Sequence, residues 1–118
     1  MEIRQGDIFW VEQDEPTGSE PGYRRPFVVV QNNLFNKSNI HTVVVCALTT
    51  NLQRAKSPGN VLLDAGEGGI NKAAVVNVSQ MFTVDKTVLE EFCGSLSANK
   101  TAKIIAGIQI LIQPTDVD

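Results

Sequence analysis

Histidine is almost absent from this chain: His41 is the only one. A single imidazole excludes a paired-histidine nuclease and a histidine-rich metal site, and at the edge of an apolar run His41 reads as a surface residue. Cysteine is nearly as scarce. Cys46 and Cys93 belong to no CxxC pair, so no zinc site is indicated and both read as buried reduced thiols. No GxSxG nucleophile elbow is present, and GEGGI (66–70) lacks the lysine and hydroxyl of a P-loop, so it reads as a tight turn. No acidic cluster resembles a two-metal centre. An enzyme built from this inventory works without a metal, a cofactor or a histidine pair.

Long hydrophobic runs are missing as well. None approaches the roughly 20 residues needed to cross a bilayer. The opening stretch MEIRQGDIFWVEQDE carries carboxylates and no apolar core of a secretory signal, so the expectation is a cytoplasmic protein. Internal repeats and low-complexity segments are lacking too. At 118 residues the expectation is a single domain, 1–118.

A basic excess is absent overall, since 13 acids against 10 Lys and Arg leave a net charge of -3. The distribution is uneven, however. Pro21 to Leu63 contains Arg24, Arg25, Lys37, Arg54 and Lys56 and no Asp or Glu. Screening confines a charge's field to about 8 Å in physiological salt, so such a stretch can form an anion site on an acidic protein.

Strand signals crowd the first two-thirds. Ile8–Val11 and Phe27–Gln31 are short β-rich runs, with Pro26 tolerable at a strand start. Between them, Glu12 to Tyr23 is a long Pro- and Gly-containing loop. Thr42–Leu48 (TVVVCAL) suits a strand buried on both faces. Further strands are expected at 60–63 and 73–83, with turns at 32–39 and 66–69 and a polar connection at 49–59. A short helix is expected over 85–92. Ile104, Ile105, Ile108, Leu111 and Ile112 follow helical spacing behind Ser97 as N-cap, which predicts a helix over 98–112. Its stripe can cover the sheet or a second copy of the chain. The pattern predicts a β-rich α+β fold, a small curled antiparallel sheet or barrel with a C-terminal helix.

Arg25 and the hydroxyls of Thr49 and Thr50 are the chemistry left after these exclusions. Arg25 precedes proline and is held extended. If the two central strands pair antiparallel, Arg25 lies beside Thr49 in a shared groove. A guanidinium there binds phosphate at any biological pH. Equally, Arg25 can be satisfied by backbone carbonyls and Thr49 can cap a turn.

The ordered set GDIFWV, GSEPGYRRPFVVVQNN, ALTTN, VVNVSQMFTVDK and GSLS resembles the MazF/PemK family of toxin endoribonucleases across nearly the whole chain. The resemblance implies an SH3-like barrel of the CcdB/PemK type, a homodimer, and sequence-selective, metal-independent cleavage of single-stranded RNA. The ends would be a 2′,3′-cyclic phosphate and a 5′-hydroxyl. Arg25, directly before proline, matches the family's catalytic arginine, and Thr49 its threonine. Glu20 and Gln80 match residues of the RNA groove, beside the cationic Arg24 and Lys56. A cognate antitoxin with an acidic tail is the implied partner. In the implied mechanism the RNA's own 2′-hydroxyl attacks phosphorus; Arg25 stabilises charge, Thr49 orients the phosphate, and Glu20 is the candidate base. Asn71-Lys72-Ala73-Ala74 departs from the family, which has an acid and a small hydroxyl or glycine there. That departure bears on base recognition. The alternatives are a non-enzymatic gyrase-binding toxin of the CcdB type and a degenerate homologue that only binds RNA. The first would use the tail GIQILIQPTDVD, which carries no aromatic anchor.

Overall fold

The computed structural model describes residues 2–12 and 24–115. They form strands β1 (Asp7–Glu12), β2 (Arg24–Val29), β3 (Thr42–Thr49), β4 (Val61–Leu63), β5 (Ala74–Asp85) and β6 (Leu89–Ser95). A four-residue helix, α1 (Asn33–Asn36), follows β2, and α2 (Ala98–Ile112) closes the chain. The described strands make one sheet in the order β4-β5-β3-β2-β1-β6, antiparallel at every pairing. Register shifts in the β1–β6 and β3–β5 ladders add local twist, and the sheet curls into a half-barrel. The architecture is β-rich α+β, as the pattern predicts.

Each face of the sheet buries its own set of apolar side chains, which is why β3 reads as an unbroken apolar run. Cys46 and Leu48 point to the face that also holds Ile8, Val28, Val76, Ile104 and Ile108. Val43, Val45 and Ala47 point to the other, with Phe9, Val11, Phe27, Val29 and Leu89. Helix α2 covers the first of these faces. Ser97 caps it, its hydroxyl accepting the Lys100 N–H at 3.1 Å. Gly107 lets the helix backbone meet the turn at Gly59 directly: a Cβ on Gly107 would stand 2.0 Å from the Gly59 carbonyl oxygen. The stripe divides, however. Ile104 and Ile108 enter the core, whereas Ile110, Leu111 and Ile112 stay exposed. No helix among the described residues is long and apolar enough to cross a membrane.

The helix expected over 85–92 does not form. Asp85 accepts the Thr87 N–H, giving a single 3₁₀ turn over Lys86–Val88, and the chain then continues as β6. Pairing with β1 decides the matter: Phe92 lies opposite Phe9 in the ladder, and their ring centroids are 5.5 Å apart. Leu89 is buried on the Phe9 face. A short segment with ambiguous spacing takes whichever conformation its neighbour can hydrogen-bond, and here that neighbour is a strand edge. The turn over 32–39 also contains α1, capped by the Asn32 side chain.

The two thiols differ in accessibility. Cys46 is fully buried and Cys93 half-buried. Burial pushes the Cys46 thiol up from 9.0 to about 12, and raises Cys93 too, with Glu91 adding to the rise and Arg24 opposing it. A thiol reagent at about pH 8 is expected to modify Cys93 in the native protein and Cys46 only after unfolding. The folded state holds the Cys46 proton more tightly than the unfolded chain does. Its contribution to stability is therefore intact below about pH 9 and is lost as pH rises from there toward 12. Equal labelling rates for both thiols in the native protein would contradict the difference in accessibility.

Candidate active site

Strands β2 and β3 pair with Phe27 opposite Ala47, Val28 opposite Cys46 and Val29 opposite Val45. Carried two residues further, that register brings Arg25 opposite Thr49. Both line a cleft of about 450 Å³ at the strand ends, together with Trp10, Arg24, Pro26, Leu48, Thr50, Ile70, Asn71, Lys72 and Ala74. Its floor is apolar (Leu48, Ile70, Ala74) and its rim carries cations and hydroxyls. None of these lining residues is a carboxylate, a histidine or a thiol.

Both structural roles that the sequence left open are present. An Arg25 Nη2–H donates to the Leu48 carbonyl at 3.5 Å, and Thr49 Oγ1 accepts the Asn51 N–H at 3.2 Å. Asn51 in turn accepts the Gln53 N–H and starts the 3₁₀ turn Leu52–Lys56. Neither contact removes the side chain from the cleft. A guanidinium has several N–H donors in a planar fork and can hold a carbonyl and a phosphate together. For Thr49 the contact uses one lone pair of the oxygen and leaves the hydroxyl hydrogen available to donate to an anionic ligand.

Arg24 is placed differently from its neighbour. Trp10 pairs with Pro26 and Glu12 with Arg24 across β1 and β2, which puts Arg24 and Trp10 on one face and Arg25 on the other. The Arg24 guanidinium lies 5.3 Å from the Trp10 ring centroid. It is ion-paired to Glu90 at 3.3 Å and to Glu91 at 3.3 Å, both on β6. These partners are remote in sequence and invisible without the fold. Arg24 therefore reaches the cleft wall with its charge already answered.

Of the other candidates, Gln80 on β5 and Lys56 at the end of the 3₁₀ turn are exposed and are not among the cleft's lining residues. Glu20 lies outside the described residues. The segment Asn71-Lys72-Ala73-Ala74, singled out as a departure from the family pattern, does meet the cleft through Asn71, Lys72 and Ala74. Sequence reasoning did not assign Trp10 or Lys72 to a site. A tryptophan in a strand reads as core, and an isolated lysine next to a turn reads as solubility.

The family model described as PemK-like, MazF-like toxin of type II toxin-antitoxin system matches residues 4–112. The chain belongs to this family. Within the PemK-like, MazF-like toxins it is similar to endoribonuclease MazF6 of Mycobacterium tuberculosis, 34% identical over 109 residues, 92% of this chain and 96% of that protein. It is similar also to endoribonuclease EndoA of Bacillus subtilis, 31% identical over 116 residues, 98% of this chain and 99% of that protein. Among solved structures, an endoribonuclease in complex with its cognate antitoxin from Mycobacterial species has the same fold. Its TM-score is 0.75 at 22% identity, covering 97% of this chain and 98% of that one. For a PemK-like toxin the cleft between β2 and β3 is thus the candidate active site.

Proposed function

We propose that this PemK-like toxin is a metal-independent endoribonuclease that cleaves single-stranded RNA sequence-selectively in the cleft lined by Arg25 and Thr49. The observation that carries this reading is the pairing itself: one guanidinium and one hydroxyl at adjacent strand ends, over an apolar floor, with no carboxylate among the cleft's described residues. Such a site attracts a phosphodiester. The curated relatives named endoribonucleases support the activity class. None of them is named for gyrase binding.

The chemistry follows from what the cleft can and cannot supply. Among the described lining residues the Thr49 and Thr50 hydroxyls have no histidine or carboxylate beside them to activate them, so the proposed nucleophile is the RNA's 2′-hydroxyl. That oxygen bonds to the adjacent phosphorus as the bond to the 5′-oxygen breaks, leaving a 2′,3′-cyclic phosphate and a 5′-hydroxyl. One proton leaves the 2′-oxygen and one reaches the departing 5′-oxygen, and no water is consumed. Arg25 donates to the non-bridging oxygens as their charge grows, and the Thr49 hydroxyl fixes the phosphate in line. A guanidinium that stays charged at any biological pH carries no proton between these oxygens. Glu20 is the proposed base, and Gln80 and Lys56 would meet RNA beyond the cleft. Ala74 in place of a polar side chain removes a hydrogen-bonding group from the wall, so the cut sequence is expected to differ from that of relatives that keep one.

A cognate antitoxin is the proposed partner, its acidic segment occupying the cationic rim; the antitoxin complex of the structural neighbour supports it. A homodimer is proposed through the exposed end of α2, supported by its bare Ile110, Leu111 and Ile112. The deciding experiment incubates the purified protein with an unstructured RNA, with and without EDTA, and maps the ends. Cleavage undiminished by EDTA, with cyclic phosphate and 5′-hydroxyl ends, is expected. Loss of cleavage in EDTA with recovery on adding Mg²⁺, or 3′-hydroxyl ends, would overturn the mechanism. Binding without cleavage would indicate the degenerate homologue.

A further inference from the structure

Three cations stand among the cleft's described lining residues, and they are not equivalent. Arg24 is ion-paired to Glu90 and Glu91. Arg25 is half-buried and donates to the Leu48 carbonyl. Lys72 is exposed, lines the same cleft, and has no hydrogen bond or ion pair among the described residues. We propose that Lys72 is a phosphate-binding residue of this cleft, holding the RNA phosphate next to the scissile one, and that Arg24 is withheld from that role by its two carboxylates. The proposal rests on the endoribonuclease reading above and names the second backbone contact of the same site.

The sheet order sets the spacing. Arg25 rises from β2 and Lys72 from the chain just before β5, and β3 lies between those strands. Thr49, at the end of β3, pairs with Val75 on β5 and stands between the two cations. Two strand spacings separate the backbones of β2 and β5 by about 10 Å. That is too wide for both side chains to serve one phosphate without bending toward each other, and suitable for two successive phosphates of an extended strand with Thr49 between. The flexible four-carbon stem of lysine covers the variation in backbone path, and its ammonium acts as a point charge that reads no base. Lys72 thus contributes to affinity and register along the strand, while Arg25 acts on the reacting phosphorus.

The test separates these roles. Steady-state cleavage of an unstructured oligoribonucleotide is measured at several KCl concentrations for the wild type, Lys72→Gln, Lys72→Arg and Lys103→Gln, an exposed lysine of α2 outside the cleft. Lys72→Gln is expected to raise KM by about threefold to fivefold, as for one exposed ionic contact, with kcat unchanged. The slope of log(kcat/KM) against log[KCl] should become shallower by about 0.7, the value for one charge on a single strand. Lys72→Arg should restore the slope, and Lys103→Gln should not alter it. A fall in kcat at constant KM would move Lys72 to the scissile phosphate, and an unchanged slope would remove it from the RNA; either result overturns the proposal. Equilibrium binding of the same oligoribonucleotide to Arg25→Ala, with and without Lys72→Gln, reads the same slope without cleavage. Failure of the wild type to cleave therefore counts against the endoribonuclease reading alone.

Discussion

Arg25→Ala is expected to lower RNA cleavage by roughly 10³-fold, with the protein still folded. Charge stabilisation by a donor aimed at the developing charge is worth about 10²- to 10³-fold when one neutral donor is removed, and a cation on a phosphoryl group is worth more, up to about 10⁵-fold. The low end applies because Arg25 is only half-buried, so water screens part of its field. Folding should survive, because Arg25 is half-buried at a strand end and the loss of a neutral carbonyl acceptor's partner costs about 1 kcal/mol. Arg25→Lys is expected to recover only part of the rate, since a point charge cannot present the planar fork to two phosphate oxygens. Thermal unfolding followed by circular dichroism establishes the fold, and single-turnover cleavage reads the chemical step. Undiminished cleavage by folded Arg25→Ala would remove this arginine from the chemistry and leave the cleft as a binding groove.

How much of this was legible beforehand depends on the range of the interaction involved. The β3 run and the α2 stripe are local patterns with many repeats, so residues 42–48 and 98–112 read correctly from spacing alone, and Ser97 marked the helix start by its own hydrogen bond. The pairing of Arg25 with Thr49 needed one further assumption, antiparallel neighbours, which the β2–β3 ladder satisfies. Three features lay out of reach because each depends on β6. This strand supplies Glu90 and Glu91 to Arg24, supplies Phe92 to Phe9, and was itself read as a helix. An edge strand is recognised by its partner more than by its own composition, and the partner here lies some eighty residues earlier. Lys72 is hidden for the opposite reason: the departure at 71–74 marks its segment without giving the lysine itself a role, and that role comes from the strand order that sets it across Thr49 from Arg25.

Phe9→Ala is expected to destabilise the fold by about 3–5 kcal/mol, the range for deleting a buried phenyl ring. Phe9 is 0% exposed and sits in the middle of β1, opposite Phe27 on one side and Phe92 on the other. Its removal leaves a cavity between three strands whose backbones are fixed by their ladders, so little collapse can offset the loss. Phe92→Ala should cost much less, because Phe92 is 52% exposed and surrenders mainly its edge contact with Phe9. Aromatic pairs of this kind contribute about 0.5–1.5 kcal/mol beyond burial, and a double-mutant cycle in urea measures that share directly. The consequence reaches the cleft. Phe27 shares β2 with Arg25, so loosening the Phe9–Phe27 pairing loosens the strand end that carries the guanidinium. Phe9→Ala should therefore lower the urea midpoint strongly and, where enough folded protein persists, reduce kcat without removing any group from the site. A midpoint shift equal to that of Phe92→Ala would show that β1 is held by its backbone ladders alone and that the aromatic contacts across β6 are incidental.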